Sequence, residues 1–151
     1  MNKFIKLSFC IIICELAGII GTVFTIDSIS TWYPALTKPF FNPPSWLFGP
    51  TWTSLYFLMG VSLYLVWDKK KTNLKWFWTQ LALNAFWSII FFGFKNPVLA
   101  FFEIVILWIS ILLTIKSFYK VNKNAAYLLV PYIGWVTFAG ILNLFTAILN
   151  K

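Results

Sequence analysis

Long apolar stretches separated by short polar connections make up nearly the whole chain. Each stretch approaches or exceeds the ~20 residues that a helix needs to cross ~30 Å of hydrocarbon. In lipid, a single unbroken segment satisfies its own backbone hydrogen bonds only as a helix, so runs of this length predict helices. The pattern therefore predicts an all-α membrane protein with one domain over residues 1–151, a bundle of five transmembrane helices at 4–26, 50–67, 75–94, 97–119 and 125–149.

The connection between the first two stretches, residues 27–49, is much longer than the others. It is rich in aromatic residues, and five prolines lie from Pro34 to Pro50. Proline limits the entropy that a loop loses on ordering, and long connections in compact domains are often binding loops or lids. We therefore expect loop 27–49 to close over a cavity at the membrane surface. The short remaining connections predict antiparallel neighbours.

The composition indicates whether the surface of the protein faces water or lipid. Hydrophobic residues make up 60% of the chain and charged residues 11%, and the mean hydropathy is +0.81. A soluble domain is about half apolar and about one quarter charged. This chain has too few charges to cover a surface in water, so the lipid bilayer is its expected partner.

Lysine supplies all the positive side-chain charge, with twelve lysines, no arginine and a formal net charge of +8. A basic chain can signal nucleic-acid binding, but these lysines cluster at the ends of the apolar stretches, and no nucleic-acid partner is predicted. Nine of them flank the N-terminus and the second and fourth connections, while three lie on the opposite side. The positive-inside rule then predicts a cytoplasmic N-terminus, with loop 27–49 on the far side of the membrane.

The residue inventory excludes several kinds of chemistry. Histidine is absent, which removes the commonest metal ligand and general base. Cys10 and Cys14 lie inside the first apolar stretch, where they are expected to act as small packing residues. The sequence contains no nucleophile–base pair, metal cluster or phosphate-binding loop. Neither hydrolysis nor a metal site is predicted, and no cofactor is required.

Polar and aromatic residues recur at helical spacing in the fifth stretch. Trp135, Phe138, Ala139, Leu142 and Asn143 follow the pattern i, i+3, i+4, i+7, i+8, so they share one helical face. An asparagine within a membrane helix is expected to face protein or a cavity rather than hydrocarbon.

Two other stretches repeat this arrangement. The third carries Asn84, Trp87 and Phe91, and the second places Trp52 and Tyr56 one turn apart. Three helices can therefore turn aromatic and polar groups toward a common centre. Two interpretations fit the pattern: a ligand pocket, or helix packing combined with the tryptophan and tyrosine that membrane interfaces commonly carry.

Glu15 and Glu103 are ionisable residues inside predicted helices, where such groups usually face a partner or a water-filled cavity. No chain of similar groups suggests a proton relay, so structural hydrogen bonding is expected for both. Ala17, Gly18 and Gly21 permit close helix approach, either within one chain or in a dimer.

Three motifs in order resemble the translocator protein (TspO/MBR) family, which comprises the bacterial tryptophan-rich sensory proteins and the mitochondrial benzodiazepine receptor. The first loop and second helix resemble it through Trp32-Tyr33-x-x-Leu36-x-Lys38-Pro39, Pro43-Pro44 and Trp52-x-x-Leu55-Tyr56. Its third-helix motif is similar to Asn84-x-x-Trp87-Ser88-x-x-Phe91-Phe92-Gly93. Its fifth-helix motif is similar to Pro131-Tyr132-x-x-Trp135-x-x-Phe138-Ala139-x-x-Leu142-Asn143.

The resemblance implies a five-helix bundle, usually a homodimer, whose first loop closes a pocket between the helices. It implies binding of porphyrins such as protoporphyrin IX, of steroids or of benzodiazepine-type ligands, by a protein of the bacterial cytoplasmic membrane. Trp52 and Trp135 match the tryptophans implicated in light- and oxygen-dependent porphyrin breakdown, and are the candidate catalytic residues. The candidate ligand-binding residues are Trp32, Tyr33, Lys38, Pro43, Trp52, Tyr56, Asn84, Trp87, Phe91, Trp135, Phe138, Ala139 and Asn143.

Two functions stay open at this point. The protein is either a binder, sensor or carrier of a tetrapyrrole, or an enzyme in which Trp52 or Trp135 supplies an electron to a photoexcited porphyrin. The absence of histidine favours a metal-free porphyrin over ligated haem. Lys38 is the candidate partner of the porphyrin propionates. The sterol-recognition pattern of some members needs a tyrosine that the end of the fifth stretch lacks.

Overall fold

A computed structural model describes all residues from Met1 to Lys151 and contains helices but no strands. A π-helical turn, Ile89–Gly93, continues the third helix, and two short 3₁₀ turns, Tyr33–Ala35 and Ser45–Leu47, lie in the first loop. The α-helices are α1 Lys3–Ser30, α2 Phe48–Val66, α3 Lys75–Ser88, α4 Pro97–Tyr119, α5 Lys123–Leu128 and α6 Val130–Leu149.

Three helical stretches are long and apolar enough to cross a bilayer. They are Lys3–Ser30, Pro97–Tyr119 and Lys123–Leu149, the last formed by α5 and α6 together. The α2 and α3 helices are shorter, with 19 and 14 residues, and they pack along the same bundle.

The helices pack around a ring of neighbouring elements. The α1 helix packs against α2 and α3, α3 against α4, α4 against α5 and α6, and α5 against α2. The α2 helix therefore meets the short α5 at one end of the bundle but makes few contacts with α6 at the other. The ring is closed at the α5 end and loosely joined near the first loop.

The ends of several helices differ from the predicted bounds for local reasons. The α1 helix continues to Ser30, past the predicted residue 26, which shortens the first loop. Pro131 has no backbone N–H to bond the carbonyl four residues earlier, and the predicted fifth helix is interrupted at Leu129. The α4 helix does not differ in this way: it begins at Pro97, where the predicted stretch also starts, because Asn96 Oδ1 accepts the Leu99 N–H at 3.0 Å.

The π turn has its own support within the bundle. Ser28 of α1 donates its hydroxyl to the Phe92 carbonyl at 2.7 Å, which satisfies a backbone group at the widened turn. The chain then reverses through Lys95, which has a left-handed φ of 53°. The predicted segment 75–94 is thus an α-helix that ends in a widened turn.

Glycine allows α1 and α2 to approach each other closely. A Cβ on Gly60 would lie 2.5 Å from the Cα atom of Ile11, and a Cβ on Gly18 would lie 2.4 Å from Cε2 of Tyr56. An ion pair joins Lys6 of α1 to Asp68, which lies just after the end of α2. The close approach expected from Gly18 and its neighbours therefore occurs within one chain.

We expect Gly60→Ala to lower the free energy of unfolding by about 1–3 kcal/mol, because the added methyl group meets backbone that cannot move without separating α1 from α2. Unfolding in mixed detergent micelles, followed by tryptophan fluorescence, measures the change. Gly134→Ala is the matched control. Nothing lies within 4 Å of a Cβ at Gly134, so that variant should be neutral or gain about 0.5–1 kcal/mol. Equal effects at both glycines would contradict this account of the contact.

Candidate functional site

A cavity of about 510 Å³ lies between the helices on the side of the first loop. Every helix except α5 contributes to its wall, and the loop covers part of it. Its lining consists of Glu15, Gly18, Ile19, Gly21, Thr22, Thr25, Ile26, Ile29, Tyr33, Ser45, Trp46, Phe48, Gly49, Trp52, Thr53, Tyr56, Asn84, Trp87, Ser88, Phe91, Phe92, Ile104, Leu107, Trp135, Ala139, Leu142, Asn143 and Thr146.

Two stacked aromatic pairs form the flat walls of the cavity. Trp52 stacks on Tyr56 with ring centroids 5.7 Å apart and an interplanar angle of 29°. Trp87 stacks on Phe91 at 4.9 Å and 22°. Each pair has i, i+4 spacing, which brings two side chains together on one helical face. Trp135 adds a third indole from α6.

A chain of buried hydrogen bonds crosses the floor of the cavity. The Tyr56 hydroxyl donates to Asn84 Oδ1 at 2.5 Å, and Asn84 Nδ2 donates to the Tyr132 oxygen at 2.6 Å. The Tyr132 hydroxyl in turn donates to Gln80 Oε1 at 2.8 Å. These bonds tie α2, α3 and α6 together at one level, and satisfied buried networks of this kind restrict the packing of a core.

Asn143 joins three other parts of the site. Its Oδ1 accepts the Trp87 indole N–H at 3.0 Å, and its Nδ2 donates to the Pro97 carbonyl at 2.7 Å. The Trp87 ring is therefore held by stacking on Phe91 and by a hydrogen bond. The Trp135 indole nitrogen, by contrast, is buried without any hydrogen-bond partner in the protein.

Polar contacts shape the first half of the loop. The Tyr33 hydroxyl donates to Asn42 Oδ1 at 3.0 Å, and burial raises the pKa of this phenol above its usual value. The Lys38 ammonium donates to the carbonyls of Tyr33 and Leu36 at 2.8 and 3.2 Å and lies 4.7 Å from the centre of the Tyr33 ring. The Lys38 ammonium is thus hydrogen-bonded within the loop.

The loop is fixed to the end of α6 at two places. Asn150 Oδ1 accepts the Thr37 N–H at 2.9 Å, and Asn150 Nδ2 donates to the Thr37 carbonyl at 2.7 Å. Phe41 packs edge-on against Phe145 at 5.4 Å and against Phe138 at 6.4 Å. One side-chain amide and one phenyl ring therefore hold the cover of the cavity in place.

The cavity opens sideways between α1 and α2. Ile19 and Ile26 line it and yet are 57% and 59% exposed, and Trp46, just before α2, is 72% exposed. The two helices touch at Gly60 and Gly18 and leave a gap nearer the loop. Ile19, Ile26 and Trp46 border this gap together with the exposed Thr22 and Thr53, and the large apolar side chains suit an opening toward lipid.

The structure brings most of the predicted binding residues to one cavity, although their roles stay predictions. Trp32 packs edge-on against Phe91 at 5.6 Å and Lys38 bonds within the loop, so neither lines the cavity. Pro43 and Phe138 line a second, shallow groove between α2 and α6. The predicted residues that line the cavity are Tyr33, Trp52, Tyr56, Asn84, Trp87, Phe91, Trp135, Ala139 and Asn143.

The wall formed by α1 was missing from the prediction. Gly18, Gly21, Thr22 and Thr25 line the cavity, and their spacing of i, i+3, i+4 and i+7 marks one face. This face of small and hydroxyl residues was the available signal. The long apolar residues on the other sides of α1 obscured this face.

The two acidic residues do not make the structural hydrogen bonds expected of them. Both carboxyl oxygens of Glu103 are buried without a hydrogen-bond partner. Glu15 lines the cavity and is half-buried, with no neighbouring charge beside its carboxyl. The hydrogen-bond expectation is therefore wrong for both residues, since no donor reaches either carboxyl within the chain.

Comparison with known proteins places these features in a family. A sequence model described as the TspO/MBR family matches residues 10–149. The chain is 47% identical over 137 residues to the tryptophan-rich protein TspO of Archaeoglobus fulgidus, covering 88% of this chain and 89% of that protein. It is 45% identical to the protein of the same name from Chlorobaculum tepidum, covering 95% of each. It is 36% identical to the human translocator protein, covering 85% of this chain and 80% of that protein.

We expect Asn150→Ala to raise the hydrogen-exchange rate of the Thr37 amide by about fivefold, because the variant removes the bond that protects it. Mass spectrometry of loop peptides in detergent measures the exchange. Asn124→Ala, an exposed position at the other end of the bundle, is the control and should leave loop exchange unchanged. Unaltered Thr37 exchange in Asn150→Ala would show that Phe41 alone holds the loop.

Proposed function

The chain belongs to the TspO/MBR family of integral membrane proteins, and we propose that it binds a planar apolar ligand of the tetrapyrrole type, such as protoporphyrin IX. The observation that carries this proposal is the cavity to whose walls Trp52, Trp87, Phe91 and Trp135 contribute from separate helical segments. Flat aromatic side chains bind a flat guest by stacking and by burial of apolar area.

The size and chemistry of the cavity support such a ligand. A volume of about 510 Å³ falls within the range of about 300–1,000 Å³ that small-molecule sites occupy. No histidine, cysteine or methionine lines the cavity, and the hydroxyls of Tyr33 and Tyr56 are already hydrogen-bonded. Haem iron takes its axial ligand from those side chains, so we favour the metal-free macrocycle.

We further propose that all five predicted helices span the membrane. The α2 helix has 19 residues, and α3 with its π turn has 14 and 5 residues, which gives each a length of roughly 28 Å at about 1.5 Å per residue. Both pack beside helices that are long enough to span. The lysine distribution supports a cytoplasmic N-terminus, in the cytoplasmic membrane of a bacterium. A homodimer is proposed from the family resemblance alone.

The role we propose is that of a binder that senses or carries its ligand. A relative named translocator protein suggests transport. The cavity supports either role, since the apolar gap between α1 and α2 gives the guest a route to and from the bilayer.

A specific observation favours a second candidate function, the light- and oxygen-dependent breakdown of a bound porphyrin. Trp52 and Trp135 line the same cavity, so both indoles would contact a bound macrocycle. The Trp135 N–H has no partner in the protein. In this function the photoexcited porphyrin would take an electron from one of these indoles, with dioxygen as the oxidant. Whether the protein is an enzyme depends on that reaction.

We expect Trp135→Leu and Trp52→Leu each to weaken binding of protoporphyrin IX by about tenfold, because a stacking surface is lost. Porphyrin fluorescence anisotropy, titrated against protein in nanodiscs, measures the affinity. Trp76→Leu is the matched control, since Trp76 does not line the cavity, and it should bind as the parent does. If all three variants bound equally well, the cavity would not be the binding site.

We expect Trp52→Phe combined with Trp135→Phe to keep porphyrin binding within about threefold, since phenyl rings still stack, while light-dependent products disappear. Absorption spectra recorded during illumination in air follow the loss of porphyrin and the growth of new bands. Trp76→Phe serves as the control. If the new bands grew as fast in the double variant as in the parent protein, these indoles would be excluded as electron donors.

A further inference from the structure

One wall of the cavity presents hydrogen-bond acceptors without donors. The α1 helix contributes Glu15, Thr22 and Thr25 to the lining. The hydroxyls of Thr22 and Thr25 donate to the carbonyls of Gly18 and Gly21, each at 2.8 Å. Because each hydroxyl proton is already donated to a carbonyl of α1, each threonine can only accept a hydrogen bond from a ligand.

The same holds for the threonines on the other walls. Thr53 of α2 donates to the Gly49 carbonyl at 2.9 Å, and Thr146 of α6 donates to the Leu142 carbonyl at 2.8 Å. The buried donor without a partner is the Trp135 indole N–H on α6, which is suited to a neutral acceptor.

Glu15 is the only charged side chain among the lining residues. It lies one turn before Gly18 on the same face of α1, and Gly18 contacts the ring of Tyr56. The carboxyl is therefore placed beside the stacked pair of Trp52 and Tyr56, where a flat guest would lie. No hydrogen bond or charge within the protein satisfies it.

No cation balances this carboxyl. Lysine is absent from the lining, and the ammonium of Lys38 in the first loop is bound to two loop carbonyls. A ligand carboxylate beside α1 would meet acceptor oxygens and a like charge, and the hydroxyls of Ser45 and Ser88, which line other parts of the cavity, are neutral donors that do not offset that charge. An ammonium or N–H group on the ligand would instead give Glu15 the partner it lacks, and an unpaired acidic group in apolar surroundings is costly.

We propose that Glu15 makes the cavity selective for planar apolar ligands that carry an N–H or ammonium donor at one edge, and against ligands whose carboxylates enter. Glu15 is thus a specificity-determining residue, and the α1 threonines extend its acceptor surface. This inference rests on the proposed function and names the ligand class for the same site.

Three probes with one macrocycle test the proposal. They are protoporphyrin IX, its neutral dimethyl ester, and its cationic bis(2-aminoethyl)amide. Affinities are measured by porphyrin fluorescence anisotropy in nanodiscs of zwitterionic lipid, and empty nanodiscs give the background partition of each probe. We expect the parent protein to bind the cationic amide most tightly, then the ester, then the diacid.

Glu15→Gln keeps the shape of the side chain and removes its charge. It should lower the affinity for the cationic amide by about tenfold, since a charge-assisted hydrogen bond is lost. The affinity for the ester should stay within about twofold of the parent value. The diacid should bind several-fold more tightly. Glu103→Gln is the matched control, because Glu103 is also a carboxyl within a helix but does not line the cavity. This control should leave the order of the three affinities unchanged.

The outcomes separate this inference from the function on which it rests. If the ester binds the parent protein and Glu15→Gln leaves the ratio of amide to diacid affinity unchanged, the Glu15 proposal is overturned and the tetrapyrrole site stands. The Glu15 proposal is likewise overturned if Glu15→Gln changes only the oligomeric state. If none of the three probes binds above the background of empty nanodiscs, the proposed function fails and the inference fails with it.

Discussion

The side-chain amide of Asn84 is the interaction on which the cavity depends. It joins a phenol of α2 to a phenol of α6 through α3, inside the bundle. Helices gain little from hydrophobic association in lipid, because acyl chains are as apolar as leucine, so hydrogen bonds and close packing set their positions. With the three helices fixed at this level, the indoles one turn nearer the loop, those of Trp52, Trp87 and Trp135, are held around an open space.

The two ends of that space are held with different strength. Below it, Tyr56, Asn84, Tyr132 and Gln80 form a continuous buried chain. Above it, the loop depends on one amide, that of Asn150, and on the packing of Phe41. Regions with few buried contacts open at lower free energy than the core. The cover can therefore move while the floor and the aromatic walls keep their geometry.

Periodicity along the sequence was most informative where a helix carries a polar group that must face protein. Asn84 and Asn143 indicated the inner faces of α3 and α6, and the structure places both residues at the cavity. The inner face of α1 carries small residues and threonines rather than an asparagine, and it was not predicted. Local backbone features were also beyond reach: the π turn at Ile89–Gly93 is supported by Ser28, which lies 64 residues away from its partner carbonyl. Lys38 is a further example: the sequence shows that a charge is present, but it does not show that a backbone carbonyl of the loop accepts a hydrogen bond from the ammonium.

The sideways opening bordered by Ile19 and Ile26 determines whether a ligand reaches the cavity from water or from the lipid bilayer. An apolar molecule that enters there comes from among the acyl chains and not from water. Its local supply is set by its partition coefficient, and a greasy molecule is enriched in the bilayer far above its aqueous level. Modest intrinsic affinity then suffices to fill the site, and the apparent potency of two guests reflects their lipid solubility as much as their fit.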